Sequence, residues 1–145
     1  MPGCILHAEG ASFDVDAFLA AASLEPYWVW RRGEQVAPVG PRSLRSHVLS
    51  GFRCDVSGVD GDLTSQIYEA IAFANRYRTD LEALANNAAV KDRYLDFGYD
   101  CLLGQPGVNV HCEILPWEFL QLMGQLRISV WLSLYAPTIG DPHEG

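Results

Sequence analysis

The sequence predicts an α+β domain: a mostly antiparallel sheet with helices packed on one face, in the order β-α-β-β-α-β-β-α-β. Three observations carry that expectation. Several runs alternate apolar and polar residues at the strand period of two, others repeat apolar residues at the helical period, and Gly/Pro-rich turns separate them. Clean alternation in the later strands implies one packed and one solvated face, with the helices on the packed side. The first six elements have the split βαβ, or ferredoxin-like, order, and a further βαβ-type unit extends it.

Residues 4–9 read as a short strand, and Gly10-Ala11-Ser12 leads into a helix near 14–23. Asp14 is placed as its N-cap, Phe13 and Phe18 as the two halves of a hydrophobic staple, and Pro26 stops the chain from continuing helically. Tyr27-Trp28-Val29-Trp30-Arg31 is a β-rich run, followed by a loop from Gly33 to Ser43 broken by Pro38, Gly40 and Pro41. A third strand covers 47–56. Asp62 is the expected N-cap of a helix over 63–87, whose stripe is Ile67, Ile71, Ala74, Arg78, Leu81 and Leu84. Strands over 94–103 and 108–114 are joined by Gly104-Gln105-Pro106-Gly107. Pro116 suits a first helical turn, and Phe119, Leu120, Met123 and Leu126 form the buried stripe of the helix it opens. The last strand, 128–136, alternates Ile128, Val130, Leu132 and Leu134 with Ser129, Trp131, Ser133 and Tyr135.

A chain of 145 residues makes one domain, here residues 1–136 with an irregular tail over 137–145. The net charge of −8 repels phosphate backbones, which argues against nucleic acid and favours a basic macromolecular partner. No apolar stretch approaches the ~18 residues a membrane helix needs, and Met1 to His7 lacks the basic and apolar regions of a signal peptide. Cys4, Cys54, Cys101 and Cys112 show no C-x-x-C spacing. Each falls in the apolar register of an expected strand, which predicts four buried, reduced thiols and a cytoplasmic protein.

Several segments recur in an order that resembles a known family. They are Phe13-Asp14-Val15-Asp16, Leu24-Glu25-Pro26, Trp30-Arg31-Arg32-Gly33-Glu34, the run from Gly107 to His111, and Leu115-Pro116-Trp117-Glu118-Phe119-Leu120 leading into Leu126-Arg127-Ile128-Ser129-Val130. Together they resemble the bacterial family catalogued as domain of unknown function 4279, over roughly residues 4–136. The resemblance implies no activity, cofactor or site residue. Where members of that family often place acidic residues in the final strand, this chain has Ser129, Trp131, Ser133 and Tyr135.

Motif chemistry is sparse. The Trp-Arg-Arg-Gly-Glu segment could hold an anion through Arg31 or Arg32 beside Trp28 or Trp30, but reads better as aromatics anchoring a strand end, Gly33 turning the chain and arginines in solvent. The loop with Asp55, Asp60 and Asp62 fails the EF-hand spacing. His7 and His111 share the outward register of their strands with Glu9, Asn109 and Glu113, and Asp96 and Asp100 point the same way. A metal there would need a local His pair that the sequence lacks. No nucleophile elbow, zincin motif or phosphate loop occurs, so no catalytic residue, metal or cofactor is assigned.

The solvated sheet face remains as the candidate surface. Its expected binding residues are Trp30, Arg31, Arg53, Asp96, Asp100, His111, Glu113, Trp131 and Tyr135. Outward Trp and Tyr on one strand are interface chemistry. The expectation is a non-enzymatic interaction module that docks a protein partner or a second copy of itself, with neither nucleic acid nor membrane as partner. A basic toxin, in the manner of small bacterial immunity proteins, is one such partner. The alternative is a small-molecule-binding domain or minor enzyme with a cleft near Trp28–Arg32 and His111.

Overall fold

In the computed structural model, which describes residues 3–36 and 45–136, the α+β expectation holds. The elements are β1 (Cys4–Gly10), α1 (Val15–Ala21), β2 (Trp28–Trp30), β3 (Ser50–Ser57), α2 (Leu63–Arg76), α3 (Arg78–Ala85), β4 (Asp92–Asp100), α4 (Trp117–Gln125) and β5 (Ser129–Tyr135). The sheet order is β2-β3-β1-β4-β5. The first four strands pair antiparallel, in the split βαβ arrangement, and β5 joins β4 in parallel. A parallel neighbour requires a crossover, and α4 with its flanking loops supplies it.

Period-two alternation decides which face the helices cover. Cys4, Leu6 and Ala8 of β1, Phe52 and Cys54 of β3, and Leu95, Phe97 and Tyr99 of β4 point into one core. Onto them pack Val15 of α1, Leu63, Ile67, Ala70 and Ala74 of α2, Leu81 and Leu84 of α3, and Phe119 and Met123 of α4. The Asp14 side chain caps α1 by accepting from the Ala17 amide at 3.1 Å, and the Phe13 and Phe18 rings meet at 5.8 Å, as the staple predicts. Helix α4 ends in a Schellman turn: Ile128 N donates to Met123 O at 2.9 Å, and Arg127 takes the left-handed position with φ 54°.

Several expectations fail, each for a local reason. Residues 108–114 form no strand, because β4 already has β1 on one edge and β5 on the other. With no free edge beside β4, the alternating Val108, Val110, Cys112 and Ile114 stay in irregular backbone, and Ile114 is 80% exposed. The thiols follow: Cys4 and Cys54 are buried, but Cys101 is half-buried and Cys112 exposed. The expected long helix divides at Tyr77, which leaves helical dihedrals at φ −105° and ψ 27°. Leu120 is exposed because the buried stripe of α4 is confined to Phe119 and Met123. Asp62 occupies the N-cap position of α2, yet its carboxylate takes the Ser65 hydroxyl instead of a backbone amide. The tail over 137–145 and residues 37–44 of the Gly33–Ser43 loop lie outside the described residues.

One polar residue ties the helical layer to the sheet. Gln66 is fully buried, and its amide donates to Val59 O at 2.9 Å and to Gly98 O at 2.7 Å. Its loss strands the Gly98 carbonyl in the interior and removes the donor to the half-buried Val59 carbonyl. Gln66→Leu should therefore cost about 2 kcal/mol, read as a lower urea midpoint at unchanged m-value.

Candidate functional site

The face of the sheet away from the helices carries an unbroken run of aromatic rings across its width. Strand register builds it: Trp28 of β2 lies opposite Arg53 of β3, Arg53 opposite His7 of β1, and His7 opposite Tyr94 of β4. Ring centroids step from Trp28 to Trp30 at 5.0 Å, Trp30 to His7 at 5.3 Å, His7 to Tyr94 at 4.6 Å, and Tyr94 to Trp131 of β5 at 5.1 Å. These spacings are those of interacting aromatic pairs. The Arg53 guanidinium lies 5.1 Å from the Trp28 ring centroid and 5.9 Å from that of Trp30, a cation–π arrangement.

Gly51 lets this run close up. A side chain there would place its Cβ 2.6 Å from Trp30 Cζ2 and 2.4 Å from Ala8 O. Its absence allows the Trp30 ring to lie down over the strand, leaving Trp30 5% and His7 4% exposed. His7 is thus buried on the face that the sequence assigns to solvent. Its side chain keeps the outward register, and what covers it is the pair of rings on either side, Trp30 and Tyr94.

The imidazole is fixed by charge as well as by packing. Arg53 Nε donates to His7 Nδ1 at 3.0 Å, so in the neutral ring the proton sits on Nε2. Nε2 faces the Glu9 carboxylate at 3.3 Å without meeting it in hydrogen-bond geometry. Burial pushes the His7 pKa down, with Arg53 adding to that and Glu9 opposing it.

Beside the ring run lies a hollow of about 450 Å³. Ile5 forms its floor, Asp55 and Asp96 flank it on neighbouring strands, and Tyr27 and Tyr135 stand at the two sides. The Asp96 carboxylate accepts from Ser133 Oγ at 2.7 Å, which orients it toward β5. Tyr27, Trp28, Trp131 and Tyr135 are each about half exposed. Such a hollow can take a cation into two carboxylates between phenol rings. Tyr27 was missed in the sequence because the β-rich run gives no sign of which aromatics stay uncovered.

The predicted site residues divide. Trp30, Arg53, Asp96, Trp131 and Tyr135 belong to the open face. Arg31 does not: it is tied to Asp16 at 2.7 Å and Glu34 at 3.2 Å, which raises its own pKa and lowers that of Asp16. The turn behind it uses Gly33 at φ 88°, the structural role expected of that motif. Asp100 packs against Gly61 in the loop before α2. His111 and Glu113 sit in the irregular segment after β4, with His111 edge-on to Tyr99, a core-facing ring. His7 and His111 therefore do not share a face. Among the described residues no three His, Cys, Asp or Glu converge on a metal position, and no helix is long and apolar enough to cross a membrane.

No family model, curated protein or solved structure matches this chain.

The environment of His7 makes stability pH-dependent. Folding lowers its pKa, so the unfolded chain binds that proton more readily. Its contribution is complete above the ordinary histidine value and is lost as pH falls below ~6.5, by at most ~1.4 kcal/mol per pH unit. His111 has its pKa raised, chiefly by Glu113. Its contribution is complete below the ordinary value and lost as pH rises, outside the window from pH 5 to 6.5. Urea denaturation across ~pH 5 to 6.5 should show stability falling with acid, and His7→Gln should flatten that slope.

Proposed function

We propose that this chain is a non-enzymatic binding module whose open sheet face docks a basic protein partner. The observation that carries the reading is the hollow with Asp55 and Asp96 between Tyr27 and Tyr135, set among exposed tryptophans. Tyr and Trp are the side chains that concentrate binding energy at interfaces. Two carboxylates in an aromatic frame match an arginine or lysine side chain. Arg53, lying over Trp28 and Trp30, provides the same kind of contact within the chain itself. The net charge of −8 adds long-range attraction for such a partner. A basic toxin is one partner of that chemistry.

The alternative cleft near Trp28–Arg32 and His111 finds less support. The Arg31 fork is already occupied by two carboxylates, and His111 packs against a ring of the helix-covered side.

Titration of the labelled protein with an arginine-rich peptide, followed by NMR, tests the proposal. Shifts should concentrate at Tyr27, Trp28, Asp55, Asp96, Trp131 and Tyr135. Asp55→Asn with Asp96→Asn should weaken binding about tenfold, ~1.4 kcal/mol, whereas Glu82→Gln with Glu118→Gln on the helical side should not. Equal loss in both double variants would reduce the effect to net charge and overturn the reading. A concentration-dependent dimer in sedimentation, abolished by Trp131→Ala, would assign the face to a second copy instead.

A further inference from the structure

Positive charge gathers at the other end of β4 and β5 from the acidic hollow. Where the two strands begin, a second hollow of about 490 Å³ is lined by Lys91, Arg93 and Arg127 and by the rings of Tyr94 and Trp131. Small-molecule sites have this size, roughly 300–1,000 Å³. Lys91 Nζ donates to Ala88 O at 2.9 Å. Arg93 Nε donates to Arg127 O at 3.1 Å, and its Nη1 donates to Val90 O at 3.0 Å. These carbonyls orient the cations without neutralising them. None of the three is ion-paired with a described carboxylate. Glu9 and Asp92 also border the hollow, but Glu9 is turned toward His7, 3.3 Å from its Nε2.

The backbone of Arg127 is a second, independent sign. It is the only described residue other than glycine at positive φ, and it holds the Schellman position that glycine fills best. Glycine there would be unstrained, so the arginine is kept at a conformational cost. Its side chain adds a guanidinium to the wall of the hollow, and its carbonyl holds Arg93 beside it. Burial first, and then Arg127, push the Arg93 pKa down, the mark of two like charges held close together.

Guanidinium forks backed by an ammonium are phosphate-binding chemistry. The half-exposed Trp131 ring, with Tyr94 at 5.1 Å behind it, offers a flat platform next to them. The net charge of −8 repels a polyanion, which selects a single phosphate over a nucleic-acid strand. We propose that this hollow binds a phosphate monoester carried on a planar ring, the chemistry of a mononucleotide. Arg93, Arg127 and Lys91 take the phosphate, and Trp131 takes the ring. The inference does not rest on the docking of a basic partner at Asp55 and Asp96.

Calorimetric titration with adenosine monophosphate is the test. Binding should be saturable and should weaken as salt rises from ~50 to ~300 mM. Inorganic phosphate and adenosine, each carrying half of the ligand, should bind about tenfold more weakly. Arg127→Gly should weaken adenosine monophosphate about tenfold, while its urea midpoint stays level or rises, because glycine relieves the positive φ. Lys91→Gln, at an exposed position, should weaken binding about threefold with the fold untouched. Asp55→Asn with Asp96→Asn should not weaken it, which separates this site from the acidic hollow. Absence of saturable binding overturns the proposal. So does undiminished binding by Arg127→Gly, and a lowered midpoint in that case would assign the arginine to the carbonyl end of α4. Adenosine or benzoate bound as tightly as adenosine monophosphate would overturn the assignment to a phosphate.

Discussion

A sheet covered by helices on one side must settle large rings on the other side without a second hydrophobic layer. Here the settlement depends on the packing of His7 between Trp30 and Tyr94. An imidazole at the centre of the sheet is small enough to be covered by its neighbours and polar enough to need Arg53. Once Arg53 is drawn to Nδ1, its guanidinium is also placed over the two tryptophans of β2. The short edge strand β2 therefore gains a side-chain tether beyond its three residues of pairing. Gly51 is the condition for all of it, since any Cβ at that position would occupy the space of the Trp30 ring.

The same packing divides the open face electrostatically. Arg53 is engaged by His7 and the rings, so its charge is directed inward along the ring run. Asp55 and Asp96 lie one register step away, where no described cation is paired with them by an ion pair. Negative charge is thereby concentrated in the hollow between Tyr27 and Tyr135, while the ring run itself is close to neutral. Partly solvated carboxylates retain hydration and charge without a buried partner, which suits a surface meant to exchange water for a ligand.

The fold was legible in the sequence wherever a periodic run coincided with an available neighbour. Strand β1, helix α1 with its cap and staple, and the core stripe of α2 and α3 follow that rule, as do the helix and last strand of the βαβ extension, whose first strand is β4 in place of residues 108–114. Residues 108–114 show the limit: their alternation is as clean as that of β4, but the place beside β4 that a hairpin would give them is held by β5, and which strand holds an edge is a property of the assembled sheet. That single misreading carried Cys101, Cys112, His111 and Glu113 with it. The site was half legible for a related reason. Alternation identified the outward register of Trp131, Tyr135, Arg53 and Asp96, but burial by a neighbouring ring, as at His7, is invisible to any pattern along one strand.

Strand β5 closes one edge of the face. It has one partner strand, parallel to it, and Leu132 and Leu134 on its other phase remain exposed. Elements with few apolar anchors open at a fraction of the cost of global unfolding. Opening of β5 would remove Trp131, the Ser133 hydroxyl on Asp96 and the Tyr135 wall in one event, while the split βαβ core stayed closed. The face is thus complete only in the fraction of molecules with this strand docked. Any affinity measured for it is the intrinsic affinity scaled by that fraction.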